Sequence, residues 1–172
     1  MAAYHCQAMA ELHLHHYVNA AITLDTLYAL IPYRQTTLRQ RIFLQAARAY
    51  RMAGDHEASL QRVASLIHTL QRKDSVNQEI LLHALLERSH IYLALGQSLR
   101  AMHDLDHILV IDETHQVALL QRARLYLTIE QPELARQDID TITRYYPTHK
   151  TTQQLIASLS SINHNEQSDT LP

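Results

Sequence analysis

Apolar and small side chains recur along this chain at the three- and four-residue spacing of amphipathic helices. Two such runs stand on either side of Gly96. They are Leu85, Ser89 and Tyr92 before the glycine, and Ala101, Leu105 and Ile108 after it. Positions three or four apart share one face of a helix, whereas a half-buried strand would alternate with a period of two. The pattern therefore predicts two helices joined by a tight turn at Gly96.

This helix–turn–helix pattern recurs further along the chain at one constant separation and without a gap. The matched pairs are Leu85 and Leu119, Ser89 and Ala123, Tyr92 and Tyr126, Ala101 and Ala135, Leu105 and Ile139, and Ile108 and Ile142. Small residues on facing helices let the two backbones approach closely, and the tyrosine fills the space beside them. In the later copy Gln131 and Pro132 are predicted to supply the turn, and Pro147 to end the second helix.

Two earlier segments keep the same internal spacings. One contains Phe43, Ala47, Tyr50, Gly54, Ser59, Val63 and Leu66, and the other contains Tyr4, Ala8, Ala20, Leu24, Leu27 and Pro32. The most N-terminal copy departs at Glu11, where the aromatic residue is expected, and at His15, which replaces the turn glycine. Tyr50 and Tyr92 are further apart than Tyr92 and Tyr126, so we expect an extended helix ending near Gln71 and a polar loop after it.

A unit of about 34 residues with these residue types resembles the tetratricopeptide repeat (TPR) over about residues 1–149. The resemblance implies an all-α fold, a right-handed α-solenoid of about four helix pairs. The expected repeats are about 1–34, 40–73, 82–115 and 116–149. An amphipathic stretch predicts a capping helix at 150–162, so that the repeat domain spans 1–162 and a flexible tail follows at 163–172.

The composition argues against an enzyme. Gly54 and Gly96 are the two glycines of the sequence, so it contains no glycine-rich phosphate loop or dinucleotide fingerprint. No nucleophile with an adjacent base or paired core carboxylates can be assembled, and no cofactor is expected. The acidic residues of the second helices are expected on solvated faces: Asp104, Asp106, Asp138 and Asp140. A formal net charge of −2 gives no nucleic-acid footprint.

Thirteen histidines raise the question of a metal site. His13 and His16 are three apart, and His103 and His107 are four apart, spacings that can present two imidazoles to one ion. Zinc usually takes three or four ligands, so the sequence predicts exposed histidines and no metal site. The lone Cys6, expected as a small, partly buried residue, forms no intramolecular disulfide and suits a reducing compartment. Without a secretory leader pattern or a long apolar segment, we expect a soluble, cytoplasmic protein that does not enter a membrane.

The resemblance also implies that the first helix of each pair lines a concave groove. The predicted groove residues are His5, Met9, Leu12, His13, Arg41, Leu44, Arg48, Arg51, His83, Leu86, His90, Leu93, Leu120, Arg124 and Leu127. Few acids are expected among them. Such a lining suits a peptide or helix of another protein that is apolar and carries carboxylates, which arginine binds bidentately. Alternatively, the arginines cover the repeat surface and the leucines belong to packing between repeats.

We therefore expect a protein–protein interaction module, a scaffold, adaptor or chaperone-like protein. His5 and Met9 stand where family members that clamp chaperone tails carry lysine and asparagine, which argues against that role. In size and architecture alone, the chain is similar to type III secretion translocator chaperones. A second possibility is a structural subunit that uses its convex face, which a contiguous patch including Ile22, Leu60 or Met102 would favour. Nucleic-acid binding is the weakest alternative, and the sequence predicts no oligomeric state.

Overall fold

The computed structural model describes residues 1–72 and 77–147, together with Gln153 and Ile156, and throughout these residues the regular secondary structure is α-helical. The predicted all-α fold class is confirmed. The helices are α1 Ala2–His13, α2 Tyr17–Leu30, α3 Thr36–Met52, α4 His56–Gln71, α5 Gln78–Ala94, α6 Ser98–Ile111, α7 Gln116–Thr128 and α8 Pro132–Tyr145. Most of the predicted capping helix and all of the predicted tail lie outside the described residues.

The helices belong to two compact units. The N-terminal unit, Met1–Gln97, contains α1 to α5, and the C-terminal unit, Ser98–Pro172, contains α6 to α8. Within each unit every described helix packs on its neighbours along the chain, and α3 also contacts α5. Within each unit the connecting loops are short, so neighbouring helices along the chain run antiparallel.

Small residues lie where paired helices cross, as the sequence predicts. Ala8 of α1 and Ala20 of α2 are fully buried in one core, and Ala123 of α7 and Ala135 of α8 are fully buried in another. Between α3 and α4, the Ser59 hydroxyl donates to a backbone carbonyl oxygen on the facing helix at 2.7 Å. A larger side chain at these positions would force the backbones apart and open a cavity beside them.

Two residues after the end of each first helix stands a residue with left-handed backbone geometry. This residue lies seven positions after the small residue at which the helix crosses its partner. The residues and their φ angles are His15 (59°), Gly54 (85°), Gly96 (70°) and Glu130 (58°). The predicted turn at Gln131 and Pro132 is therefore wrong in detail, because Glu130 makes the reversal and Pro132 opens α8. Proline fits there because the first helical residue has no intrahelical partner for its N–H.

Replacing Glu130 by glycine is expected to raise the free energy of unfolding by about 1 kcal/mol. A side chain in left-handed geometry costs roughly 1–2 kcal/mol, and the extra backbone entropy of glycine offsets part of the gain. Urea denaturation followed by circular dichroism measures the change as a higher midpoint at constant slope. As a control, Arg124→Gly in the exposed interior of α7 should lower stability by about 1 kcal/mol. A lower midpoint for Glu130→Gly would contradict the assignment of strain at this turn.

The lone cysteine departs from its prediction. Cys6 is exposed on α1, so it is not the partly buried residue that the sequence suggested. Most side chains of α1 are not buried, and Ala8 is the one that is fully buried. The other first helices that lie in the middle of their units, such as α3, bury several.

Candidate functional site

Some of the predicted groove residues of the N-terminal unit lie where α3 contacts α5. Two ion pairs join these helices: Arg41 donates to both carboxylate oxygens of Glu79 at 3.2 and 3.3 Å, and Arg51 donates to Glu87. The first pair is exposed on both sides, so it contributes little to stability. The second is largely buried, with a Glu87 side chain that is only 9% exposed.

Glu87 changes the electrostatics expected for this surface. Burial alone would raise the pKa of its carboxyl group, but His90 and Arg51 outweigh burial and lower the pKa below its ordinary value. The carboxylate therefore stays ionised beside Arg51, and that arginine is already occupied. The prediction that few acids face the groove is wrong here, because Glu79 and Glu87 each neutralise one of the predicted groove arginines.

Arg48 is the exception among the predicted groove arginines of α3. Its side chain is exposed and it forms no ion pair within 1–72 and 77–147. It lies one turn from Leu44 and one turn from Arg51, so all three share a face of the helix. Leu44 is half-buried. The surface around Arg48 therefore offers an uncommitted guanidinium next to an accessible aliphatic side chain.

The other predicted groove positions divide between core and surface. His5, His13 and His83 are exposed, whereas Met9 and Leu12 pack against the core of the N-terminal unit. Of the predicted groove residues on α5, Leu86, His90 and Leu93 are half-buried. On α7 of the C-terminal unit, Arg124 is exposed without an ion pair among the described residues, and Leu127 is half-buried. Leu120 is only 7% exposed and belongs to the core, so it offers a partner little surface.

A charge network that the sequence did not predict joins the helices of the C-terminal unit. Arg122 of α7 donates to both carboxylate oxygens of Asp138 at 3.0 and 2.7 Å and to Asp106 at 2.7 Å. Hydrogen bonding to Asp138 raises the pKa of the Arg122 guanidinium above its ordinary value. Asp138 is 3% exposed, and Asp104 of α6 is also buried, so placing these two acids on solvated faces was wrong. A buried carboxylate requires such a partner because desolvation of an unpaired charge is costly.

The N-terminal unit contains a counterpart of this network. Arg62 of α4 donates to both carboxylate oxygens of Asp25 at 3.4 and 2.6 Å, and the Tyr50 hydroxyl donates to the same carboxylate at 2.8 Å. The Arg62 guanidinium also lies 4.1 Å from the centre of the Tyr50 ring. Burial, followed by Asp25, raises the pKa of Tyr50. A sequence signal exists, because Asp25 and Asp106 each stand five residues after the small residue of their helix.

Neither a metal site nor a membrane segment is seen in the described part of the chain. Within it, no three His, Cys, Asp or Glu side chains come close enough together to hold an ion. None of its helices has the length and apolar character needed to span a bilayer.

Comparisons with known proteins bear on the fold. No protein-family model and no curated protein matches this sequence. Among solved structures, a Podosopora anserina putative kinesin light chain with TPR-like repeats superposes with a TM-score of 0.77 at 17% identity, covering 96% of this chain and 87% of that one. A tetratricopeptide repeat protein from Parabacteroides merdae gives 0.75 at 20% identity, covering 95% and 60%. The Cut9–Hcn1 complex of the APC/C gives 0.74 at 17% identity, covering 91% and 29%.

The last two coverages mean that the chain spans 60% of the Parabacteroides protein and 29% of the matched APC/C chain. At 17 to 20% identity, this similarity establishes the fold alone. It does not assign the binding partners of those proteins to this chain.

Proposed function

Because this chain has the fold of tetratricopeptide repeat proteins, we propose that it is a non-enzymatic protein-interaction module, a scaffold or chaperone-like adaptor. Its first helices bind a peptide or helix of a partner protein in a groove. The partner segment combines aliphatic side chains with a carboxylate. Assembly in the Cut9–Hcn1 hetero-tetramer shows that a similar fold takes part in a protein complex.

The observation that carries the proposal is the state of the α3 arginines. Arg41 and Arg51 are neutralised by Glu79 and Glu87, whereas the exposed Arg48 is left without an acid partner among the described residues. An uncommitted guanidinium can bind a carboxylate with two parallel hydrogen bonds, which are stronger and more directional than a neutral pair. Half-buried Leu44 provides an aliphatic contact one turn away. We assign Arg48 as the anchor for the partner carboxylate.

Replacing Arg48 by glutamate is expected to weaken partner binding at least about tenfold, because it converts a charge-assisted hydrogen bond into a repulsion. Peptides selected from a random displayed library against the purified chain supply the ligand, and calorimetry measures the dissociation constant. The selected sequences should be enriched in a carboxylate next to leucine or isoleucine. Binding should also weaken as salt is raised.

Arg34→Glu is the matched control, since Arg34 is exposed in the α2–α3 loop and carries the same charge. It should leave the dissociation constant within about twofold, because it lies off the first helices. Selected peptides without acidic residues, or equal losses for both variants, would overturn the assignment of Arg48.

A second candidate function, a structural subunit that uses its second helices, is favoured by the outer side of α2. Val18 and Ile22, one turn apart, are 57% and 55% exposed, while the opposite side of this helix is buried. A helix that is apolar on all sides is typical of one covered on both faces. Hydrogen-exchange footprinting of the same peptide complexes discriminates the two, because protection of α2 in place of α3 would favour the subunit role.

A further inference from the structure

A cleft opens in the C-terminal unit between α6, α7 and α8, on the side of the second helices. Its volume is about 520 Å³. Buried Leu119 and half-buried Leu109 and Thr114 form its floor, while Val110 and Tyr145 stand at its mouth. Val110 is 84% exposed.

The N-terminal unit has an equivalent cleft, between α2, α3 and α4, with a volume of about 300 Å³. The two linings correspond in the repeat register. Three pairs of lining residues are separated by the same interval as Ala47 and Ala123. They are Phe43 and Leu119, Ser65 and Thr141, and Thr69 and Tyr145. Two further pairs, Tyr28 with Leu109 and Tyr33 with Thr114, are separated by the same interval as Ala20 and Ala101. Equivalent clefts therefore occur in both units, but different residues line them.

In the N-terminal unit the chain supplies its own cation to this cleft. The Arg39 guanidinium lies 4.1 Å from the centre of the Tyr28 ring and 4.5 Å from that of the Tyr33 ring. It donates hydrogen bonds to the carbonyl oxygens of Tyr28 and Ile31, at 3.0 and 2.5 Å, where α2 ends. Arginine suits this place because the last carbonyls of a helix lack intrahelical donors and carry the negative end of its dipole.

No residue that the structure describes fills the C-terminal cleft in this way. The register places His115 where Arg39 stands, and the His115 ring accepts a hydrogen bond from the Ala118 N–H, so it caps α7. The additional first turn that carries Arg39 in α3 has no counterpart in α7, which is 13 residues long against 17. Arg122 reaches the cleft, but Asp106 and Asp138 already bind it.

Among the described residues that line the C-terminal cleft, acids outnumber bases. Its acids are Asp106, Glu113 and Asp138, and its bases are Arg122 and Arg144. The Asp106 side chain is half exposed, and Glu113 is exposed and forms no ion pair with any residue that the structure describes. The C-terminal end of α6, next to Val110, adds the negative end of a helix dipole.

We infer that this cleft is a docking site for an arginine carried on an apolar segment of a partner protein, whose guanidinium takes the place that Arg39 fills in the N-terminal unit. The aliphatic neighbours of that arginine cover Val110 and Leu109. Glu113 and the free side of Asp106 bind the guanidinium, and Tyr145 offers a ring for stacking. The cleft belongs to the C-terminal unit and the α3 surface of the proposed function to the N-terminal unit, so each proposal can fail without the other.

The test uses the ¹⁵N-labelled full chain and two synthetic peptides, acetyl-leucyl-arginyl-leucine amide and its citrulline analogue. Citrulline keeps the shape of arginine without its charge. The arginine peptide should shift the amide signals of Val110, Glu113, Thr141 and Tyr145 in a saturable way, and the citrulline peptide should bind at least about tenfold more weakly. Glu113→Gln should weaken the arginine peptide about threefold, while Glu133→Gln on α8 outside the cleft should not change it.

Three results would overturn the inference. Equal binding of the two peptides would mean that the cation is not recognised. Shifts centred on Arg124 and Leu127 would place the peptide on the first-helix side of the unit. The absence of saturable shifts up to about 10 mM peptide would mean that the cleft does not bind this chemistry at all.

Discussion

Replacing Arg122 by alanine is expected to lower the free energy of unfolding of the C-terminal unit by about 3–5 kcal/mol, the largest effect that we predict for a single substitution. The substitution leaves the Asp138 carboxylate buried, with both of its hydrogen bonds from Arg122 removed. It also removes the bond to Asp106 that joins α6 to α7. An unpaired buried charge costs far more than a surface ion pair contributes.

Urea denaturation gives the total loss in unfolding free energy. Hydrogen exchange measured on peptides from α7 and α8 shows whether these helices are the ones destabilised. Arg124→Ala is the control, because Arg124 is exposed on the same helix without an ion pair among the described residues. It should cost less than about 0.5 kcal/mol. Similar losses for the two variants would mean that Arg122 acts through general packing of α7 and not through the carboxylates.

Replacing Arg51 by alanine is expected to cost about 2–4 kcal/mol in the N-terminal unit, because Glu87 then stays buried without the hydrogen bond from Arg51. The loss should depend on pH. In the native protein the pKa of Glu87 is lowered, so its contribution to stability is present above the unfolded pKa of about 4.3 and is lost as pH falls through the folded value. In Arg51→Ala the Glu87 carboxylate keeps only His90 as a partner among the described residues, so protonation relieves part of the cost of its burial and the difference between variant and native protein should shrink in acid.

The double variant Arg51→Ala with Glu87→Gln tests the pair itself. It should recover a large part of the loss, because a neutral amide is less costly to bury than a carboxylate. Arg48→Ala on the same helix should be nearly neutral at every pH, since Arg48 is exposed. A pH-independent loss for Arg51→Ala, or additive losses in the double variant, would mean that Glu87 is not the group affected.

These predicted changes in unfolding free energy also decide which arginine should be substituted to test the proposed binding surface. Charge reversal at Arg51 would place a second acid against Glu87 and destabilise the unit, so a loss of binding would be uninformative. Arg48 carries the same charge three residues earlier and can be reversed without breaking a described ion pair. The sequence placed both arginines on one face but could not distinguish them, because the distinction depends on an acid from another helix.

The repeat pattern predicts the helices and their crossings because both follow from local spacing. Ala123 and Ala135, for example, are identified by the types of their neighbours, and both are fully buried. The additional turn of α3 and the left-handed Glu130 were missed, because the first departs from the repeat length and the second lacks the glycine that usually marks such a turn. Asp138 was assigned to solvent since its partner, Arg122, lies 16 residues away on the facing helix.

In the two charge networks, the aspartate of the preceding repeat keeps its position while the arginine that binds it changes helix: Asp25 is bound from α4, and Asp106 from α7. The pairing is thus preserved although the residues that provide it are not aligned. Exchanges of this kind erode position-by-position similarity without disturbing the interaction. Two repeats can therefore keep the same interaction although different aligned positions supply it.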